Sequence, residues 1–196
     1  MQQKSYSTTT SFFDVLFNSL IAITSMFVVV FFLINEEQKA ASNIVPKAEF
    51  IITVIWPPDL DDDVDTYVED PLENLVFFRS RNVGFMSLER DDIGFANDYI
   101  DTLGGRIEFK SNMETVTIRN IVGGEYTCNV HMYKHRSEKP VLVEVKLEKI
   151  NPYSIILLKN ICLFHNGDEK TAFRFVLDSA GNVISTSDLA KNLVKP

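Results

Sequence analysis

The chain has 196 residues, of which 45% are hydrophobic and 11% aromatic, and its formal net charge is −8. Because an acidic surface repels phosphate backbones, this charge argues against binding to nucleic acid. The apolar content is high enough to bury a core, and the length allows one anchor with one or two small domains.

Residues 11–35 form the first predicted element, an apolar segment that follows a polar tail at residues 1–10. Between Phe12 and Ile34 there is one formal charge, Asp14. This run is long enough for a membrane helix, which needs about 20 apolar residues. A cleaved signal peptide is the alternative, but its apolar region is shorter, at about 7–15 residues. We therefore predict a retained transmembrane helix over residues 11–35.

Asp14 is the informative residue of this helix, because an ionisable group inside a membrane is costly and usually functional. In a helix with 100° per residue, Asn18 and Ser25 lie close to the direction of Asp14, which predicts a narrow polar face. A carboxylate buried at a helix–helix interface could carry a proton near neutral pH. The alternative is that Asp14 reaches the headgroups from the helix end and only starts the helix.

The run Ser11–Asn18, which reads SFFDVLFN, and the apolar stretch after it resemble the anchor helix of the ExbD/TolR/MotB family over residues 8–36. Members of this family are B subunits of proton-driven stator motors, with a short cytoplasmic tail, one membrane helix and a periplasmic domain. The resemblance implies that Asp14 carries protons. It also implies a homodimer of this chain inside a pentamer of multi-pass ExbB/TolQ/MotA-like A subunits.

The charges that flank the helix predict its orientation. Lys4 and the free amine precede Asp14, whereas Glu36 and Glu37 follow the helix together with one lysine. This weak bias places residues 1–10 in the cytoplasm and the C-terminal part of the chain outside. Together with the family resemblance, it predicts a single-pass protein of the bacterial inner membrane with a periplasmic domain.

Residues 36–46 are predicted to be a linker or a helical extension. Over 47–196, short β-branched and aromatic runs alternate with turn residues, which predicts a mainly-β domain with an antiparallel, Ig-like sandwich of eight to ten strands. A division near Pro140 is the alternative. The predicted strands are 48–56, 64–70, 74–78, 106–109, 114–119, 125–133, 141–148, 154–164 and 171–177.

Two local signals refine the C-terminal part of this domain. Asn166-Gly167 between two apolar runs is typical of a β-hairpin. Ser187 and Asp188 are suitable N-caps, so a short final helix is predicted to end at Val194.

The segments Asp61–Pro71, Leu88–Gly94 and Gly123–His131 resemble a poorly characterised family of exported bacterial β-sandwich domains over residues 48–135. The family pattern is roughly D-x-D-L-x-V-x-D-P, an acidic loop with glycine, and G-x-Y-x-V-x-V. Thr66 stands where that family often has leucine. The resemblance implies a fold and not an activity.

Aspartates are concentrated in the first two of these segments. Ca²⁺ takes 6–8 oxygen ligands, and carboxylates of this kind could supply them. The spacing lacks the pattern and the glycine of an EF-hand loop, so a solvated acidic loop is the alternative that we favour. The candidate calcium ligands are Asp61, Asp63, Asp65, Asp91 and Asp92.

Cys128 and Cys162 each lie in a predicted strand and form either a disulfide or two separate thiols. His131 and His135 share one face of a strand, but further zinc ligands cannot be placed. The sequence contains no nucleophile triad, phosphate-binding glycine loop or H-E-x-x-H motif, so no enzyme is predicted. Apart from coupling protons and calcium, no cofactor is expected.

Two hypotheses follow for function. The first is a B subunit of a proton-driven membrane motor of the 5:2 type, which couples proton flow at Asp14 to movement of the β domain. The second is a membrane-tethered β-sandwich that binds a carbohydrate, a protein or calcium without ion transport. An unidentified extracytoplasmic target is expected in both.

Overall fold

A computed structural model describes residues 8–40 and 47–194, with side chains described over 10–31 and 47–194. The chain divides into two compact units, residues 1–45 and 46–196. The first unit contains a helix, and the second contains antiparallel β-strands. This order confirms the predicted succession of one apolar N-terminal helix and a mainly-β domain.

The helix, α1, covers Thr8–Ala40 and extends the predicted helix at both ends. Its segment Thr10–Phe31 is long and apolar enough to cross a membrane. Residues 36–40, predicted as a linker or helical extension, continue α1. The predicted tail up to residue 7 and the linker residues 41–46 lie outside the described residues.

The second unit contains thirteen strands within residues 47–194. Alternation of apolar and polar residues produces most of them, since successive side chains point to opposite faces of a strand. The strands are β1 Phe50–Ile55, β2 Asp63–Glu69, β3 Leu75–Val76, β4 Asn82–Val83, β5 Met86–Arg90, β6 Tyr99–Thr102, β7 Gly105–Glu108, β8 Met113–Ile118, β9 Gly124–Lys134, β10 Val141–Lys149, β11 Ser154–Leu163, β12 Glu169–Leu177 and β13 Val183–Ser187.

Two larger sheets and one ribbon accommodate these strands. The six-stranded sheet has the order β11-β10-β1-β8-β5-β4, and the five-stranded sheet has the order β13-β12-β9-β2-β3. A ribbon of β6 and β7 stands apart from both. One buried cluster contains residues of both larger sheets, and the rings of Phe50 in β1 and Phe175 in β12 lie 6.4 Å apart. The two larger sheets therefore share one core.

Residues 79–105, for which no strand was predicted, contain β4, β5 and β6. In β5 only Met86 and Leu88 alternate as buried apolar residues, which is too short a pattern to identify from sequence. Its pairing with β8 supplies the backbone partners that a short strand needs. Long-range pairing therefore decides this part of the fold.

Two predictions about the C-terminal part are wrong. The turn at Asn166-Gly167 does not close a hairpin, because β11 belongs to the six-stranded sheet and β12 to the five-stranded sheet. The turn instead carries the chain from one sheet to the other. No helix forms over 187–194; β13 ends at Ser187, and Lys191 donates its backbone N–H to the Thr171 hydroxyl at 3.0 Å.

Strands before and after Pro140 belong to the same compact unit. β9 ends at Lys134 in the five-stranded sheet, and β10 begins at Val141 in the six-stranded sheet. The segment between them therefore connects the two sheets.

Candidate functional site

The candidate site begins at an edge of strand β2, where a carboxylate of the other sheet binds the backbone. β3 pairs with Val68 and Glu69 of β2, so within residues 47–194 the backbone of β2 before Val68 has no strand partner on that side. There, Glu114 of β8 accepts a hydrogen bond from the backbone N–H of Thr66 at 2.6 Å through Oε2. This bond joins the two larger sheets, since β8 and β2 belong to different ones.

Asp65, Asp91 and Glu114 form the carboxylate cluster: one oxygen from each lies within 4.8 Å of the other two. Asp65 and Glu114 are buried, with 4% and 1% of their surface exposed, and Asp91 is half-buried. Carboxylate oxygens are hard ligands of the kind that Ca²⁺ and Mg²⁺ prefer. Within the described residues, these three are the group that could hold a metal ion.

Burial determines the electrostatics of this region. It raises the pKa of Glu114 well above its usual value, and the hydrogen bond from Thr66 opposes this only in part. Burial also raises the pKa of Asp65, against the opposing effect of His131. Burial and the charge of Asp65 raise the pKa of Asp63, a predicted ligand outside the cluster, to about 7. Negative charge is therefore costly here unless a proton or a cation accompanies it.

Two predicted calcium ligands are occupied by other partners. Asp61 accepts a hydrogen bond from the Phe95 N–H at 2.9 Å, and its Oδ1 lies 3.3 Å from the guanidinium of Arg136. Asp92 lies 3.0 Å from the Arg90 guanidinium. Of the five predicted ligands, the structure thus brings two into the cluster and holds these two elsewhere.

Gly94 shapes the loop that follows Asp91 and Asp92. Its φ of +74° lies in the left-handed region, and its N–H donates to Asp92 Oδ1 at 3.0 Å. A Cβ at this position would lie 2.7 Å from Asp61 Oδ1 and 2.8 Å from Arg136 Nη1. Glycine therefore allows the two acidic loops to approach each other.

A second concave site, the aromatic pocket, has a volume of about 460 Å³ and is lined by strands β2, β3 and β9 of the five-stranded sheet and by the segments that follow β3 and β13. Tyr67 and Phe77 stack with ring centroids 5.2 Å apart, and Phe78 and Tyr133 lie 5.7 Å apart. The exposed guanidinium of Arg79 lies 5.2 Å from the centre of the Phe78 ring. Such a lining of aromatic faces with few polar groups is typical of small-ligand sites.

Polar groups of the aromatic pocket can orient a ligand. Burial and the charge of Asp65 raise the pKa of Tyr67 to about 12, so its hydroxyl stays protonated at neutral pH and can donate. His131 lines the pocket, and its Nδ1 lies 3.5 Å from Asp65 Oδ2. Because Asp65 belongs to the carboxylate cluster, His131 connects the two sites.

The predicted polar face of the anchor lies on α1. Asp14, Asn18 and Ser25 all have exposed side chains. Exposed polar side chains on an apolar helix can contact either a second membrane helix or the lipid headgroups. Proton transport by Asp14 stays a prediction.

Cys128 and Cys162 are two separate free thiols, and the alternative prediction of a disulfide between them is not realised in the structure. Cys128 is buried in β9, whereas Cys162 is half-buried in β11 on the other sheet. Burial raises the pKa of the Cys128 thiol, so it behaves as a small apolar core residue.

No known family, curated protein or solved structure matches this chain. The resemblances to the stator B subunits and to the exported sandwich domains therefore stay predictions. Function has to be inferred from the carboxylate cluster, the aromatic pocket and the apolar helix.

Sequence reasoning missed Glu114 and the aromatic pocket. Glu114 lies on the same face of β8 as Val116 and Ile118, both of which are buried. A charged residue on the apolar face of a strand was the signal available, because burial of a carboxylate requires a partner. For the pocket, Phe77 and Phe78 end a predicted strand, but nothing local indicates that they meet β9.

Proposed function

We propose that this chain is a single-pass membrane protein that displays an Ig-like β-sandwich outside the cytoplasm and binds a carbohydrate in the aromatic pocket. The observation that carries the proposal is the pocket of about 460 Å³ with four aromatic side chains. That volume is within the usual range for small-ligand sites, about 300–1,000 Å³. The aromatic side chains are Tyr67, Phe77, Phe78 and Tyr133.

The anchor part of the proposal is supported by the segment Thr10–Phe31. Its 22 residues match the roughly 20 that span a bilayer core. One lysine lies on each side of the segment, Lys4 before it and Lys39 after it, and the amine before it gives a weak bias towards a cytoplasmic N-terminus. The β domain then lies outside the cytoplasm.

A carbohydrate fits the pocket chemistry better than a flat protein surface does. The C–H faces of a sugar ring pack on aromatic rings, and the Phe78 and Tyr133 rings, 5.7 Å apart with Tyr133 half exposed, offer such faces in the pocket. The Tyr67 hydroxyl and the Arg79 guanidinium can donate to sugar oxygens, which would fix the orientation of the ring. A pocket of this size admits a small molecule, whereas a folded protein could insert only a side chain or two.

Tyr133→Ala tests this function. The side chain is 52% exposed, so its removal should leave the fold intact while it removes one wall of the pocket. We expect the full chain in mild detergent to bind members of an oligosaccharide array, and the variant to bind about tenfold more weakly, which corresponds to ~1.4 kcal/mol.

Tyr153→Ala is the matched control, since Tyr153 is another exposed tyrosine, 65% exposed, between β10 and β11 and outside the pocket. It should bind the array as the unaltered chain does. Absence of any saccharide binding, or equal losses in both variants, would contradict the proposed ligand.

A second candidate function is the B subunit of a proton-driven motor. The observation that favours it is Asp14, the one acidic residue of the apolar segment Thr10–Phe31, with Asn18 one turn further on and also exposed. Intramembrane carboxylates of this kind serve as proton relays. Two copies would then lie within a ring of multi-pass partners, and protonation of Asp14 would allow the helix interface to step.

Native mass spectrometry of the complex extracted in mild detergent tests this candidate. Two copies of the chain with five copies of a multi-pass partner would support the motor, and Asp14→Asn should then abolish its activity without dissociating the complex. Ser25→Asn, a polar change on the same helix face, is the control. If the chain is extracted alone or only as a homo-oligomer, the motor function is contradicted and carbohydrate binding is the remaining proposal.

A further inference from the structure

We propose that the carboxylate cluster of Asp65, Asp91 and Glu114 binds one divalent cation, with Ca²⁺ preferred over Mg²⁺. Asp65 lies in β2 and Glu114 in β8, while Asp91 directly follows β5. A bound ion would therefore connect the five-stranded sheet to the six-stranded sheet. The inference goes beyond carbohydrate binding, because it rests on other residues and on other observations.

The decisive observation is an unpartnered oxygen on a buried carboxylate of the cluster. Glu114 is 1% exposed, and its Oε1 has no hydrogen-bond partner within the described residues. Its Oε2 already accepts the hydrogen bond from Thr66. A buried carboxylate oxygen without a donor is costly, and a cation coordinated by that carboxylate would remove the cost.

The spacing of the cluster suits calcium. If three oxygens all lie within 4.8 Å of one another, a point exists that is at most about 2.8 Å from each of them, because that is the circumradius of an equilateral triangle of that side. Calcium–oxygen distances are about 2.3–2.6 Å, so small side-chain movements suffice. Magnesium needs about 2.0–2.1 Å and near-ideal octahedral geometry, and it is usually bound through one or two carboxylates, so three carboxylates favour calcium.

The basic groups that face the cluster leave its charge largely uncompensated. Arg81 Nη1 lies 3.9 Å from Asp91 Oδ2, and His131 Nδ1 lies 3.5 Å from Asp65 Oδ2. Both distances exceed the roughly 2.7–2.9 Å of a direct charged hydrogen bond. Three carboxylates with two distant basic partners form a site for a divalent ion, and the open side at Asp91 leaves room for water ligands.

Calcium titration of the full chain in detergent, after removal of metal with EDTA, tests the site. We expect isothermal titration calorimetry to show one Ca²⁺ per chain with a Kd of about 10⁻⁴–10⁻³ M, the range of extracellular calcium-binding modules. Added Ca²⁺ should raise the unfolding temperature, and Mg²⁺ at equal concentration should raise it less.

Asp91→Asn is the main variant, since Asp91 is half-buried and its replacement should not prevent folding. It should weaken Ca²⁺ binding at least about tenfold, because one charged ligand becomes neutral. Asp101→Asn is the matched control: Asp101 is an exposed acid on the separate ribbon, paired with Arg106. Glu114→Gln provides a second test at the buried ligand.

The proposal is overturned if the unaltered chain binds no Ca²⁺ at about 10 mM, if Asp101→Asn loses as much affinity as Asp91→Asn, or if Mg²⁺ binds more tightly than Ca²⁺. Tyr133→Ala should retain the full Ca²⁺ affinity. Asp91→Asn should retain saccharide binding. Because each variant affects only one of the two binding measurements, either proposal can fail while the other holds.

Discussion

Asp62 and Glu114 are both almost fully buried in the β domain, but their surroundings differ. Asp62 Oδ1 accepts hydrogen bonds from the backbone N–H groups of Arg136 at 2.7 Å and Ser137 at 3.0 Å, and it lies 3.0 Å from His135 Nδ1. Glu114 accepts a single backbone hydrogen bond through Oε2. Within the described residues, the second oxygen of each carboxylate, Asp62 Oδ2 and Glu114 Oε1, has no hydrogen-bond partner. The two carboxylates thus share burial and differ in donors.

The pKa directions follow from this difference. Burial alone would raise the pKa of Asp62, but the hydrogen bonds from Ser137, Arg136 and His135 outweigh it, and the pKa is lowered. For Glu114, burial dominates and the pKa is raised well above its usual value. The fold therefore stabilises Asp62 as an anion through its hydrogen bonds, whereas Glu114 requires a bound proton or a cation to compensate its charge.

The largest effect that the comparison predicts is that of Asp62→Ala. Two backbone N–H groups and His135 would lose their charged acceptor inside the domain, so we expect a loss of about 3 kcal/mol in the free energy of unfolding. The single tryptophan, Trp56, is 1% exposed and donates Nε1–H to the Asp62 carbonyl at 3.0 Å. Its fluorescence during urea unfolding of the full chain is the measurement.

Asp59→Ala is the control for that variant, because Asp59 is an exposed acid of the same acidic stretch. It should change the free energy of unfolding by less than about 0.5 kcal/mol. If the two variants were equally stable, the hydrogen bonds to Asp62 would not account for the difference between the two carboxylates.

The same comparison indicates how far sequence reasoning reaches. Alternation identified the strands whose side chains alternate strictly, such as β10, and the acidic segments identified Asp65 and Asp91 as candidate ligands. Glu114 could not be paired with them, because Thr66 and Glu114 are 48 residues apart and meet only where two sheets approach. Asn166-Gly167 was misread for the same reason: a turn sequence describes local geometry and does not say whether its flanking strands pair.

Asp63 extends the comparison to pH. Its folded pKa is raised from 3.8 to about 7 by burial and by the charge of Asp65, with Arg136 opposing and Asp91 and Asp92 adding to the rise. Stability from this group is fully present below the unfolded pKa and is lost as pH rises through 7. Metal-free protein should therefore lose roughly 2 kcal/mol of unfolding free energy between pH 5 and pH 8.

Urea unfolding at a series of pH values measures this loss. Asp63→Asn should flatten the profile, because the neutral amide cannot titrate, and Ca²⁺ should reduce the loss at pH 8 if the carboxylate cluster binds it. A profile that rises toward pH 8 in metal-free protein would show that the acids of this region are stabilised as anions, and Asp63 would then resemble Asp62.

The smallest predicted effect has the most informative sign. In metal-free protein at pH 8, Glu114→Gln removes a buried group whose ionisation is made costly by burial, and its amide can donate toward Asp65 or Asp91, so we expect a gain of about 1 kcal/mol in unfolding free energy. Asp62→Asn is the same chemical change at the other carboxylate and should cost about 1 kcal/mol. In saturating Ca²⁺ the sign at Glu114 should reverse, because the variant loses a ligand while the unaltered chain gains binding free energy. If the changes in unfolding free energy have opposite signs at the two positions, and Ca²⁺ reverses the sign only at Glu114, then Asp62 stabilises the fold as an anion and Glu114 binds a cation.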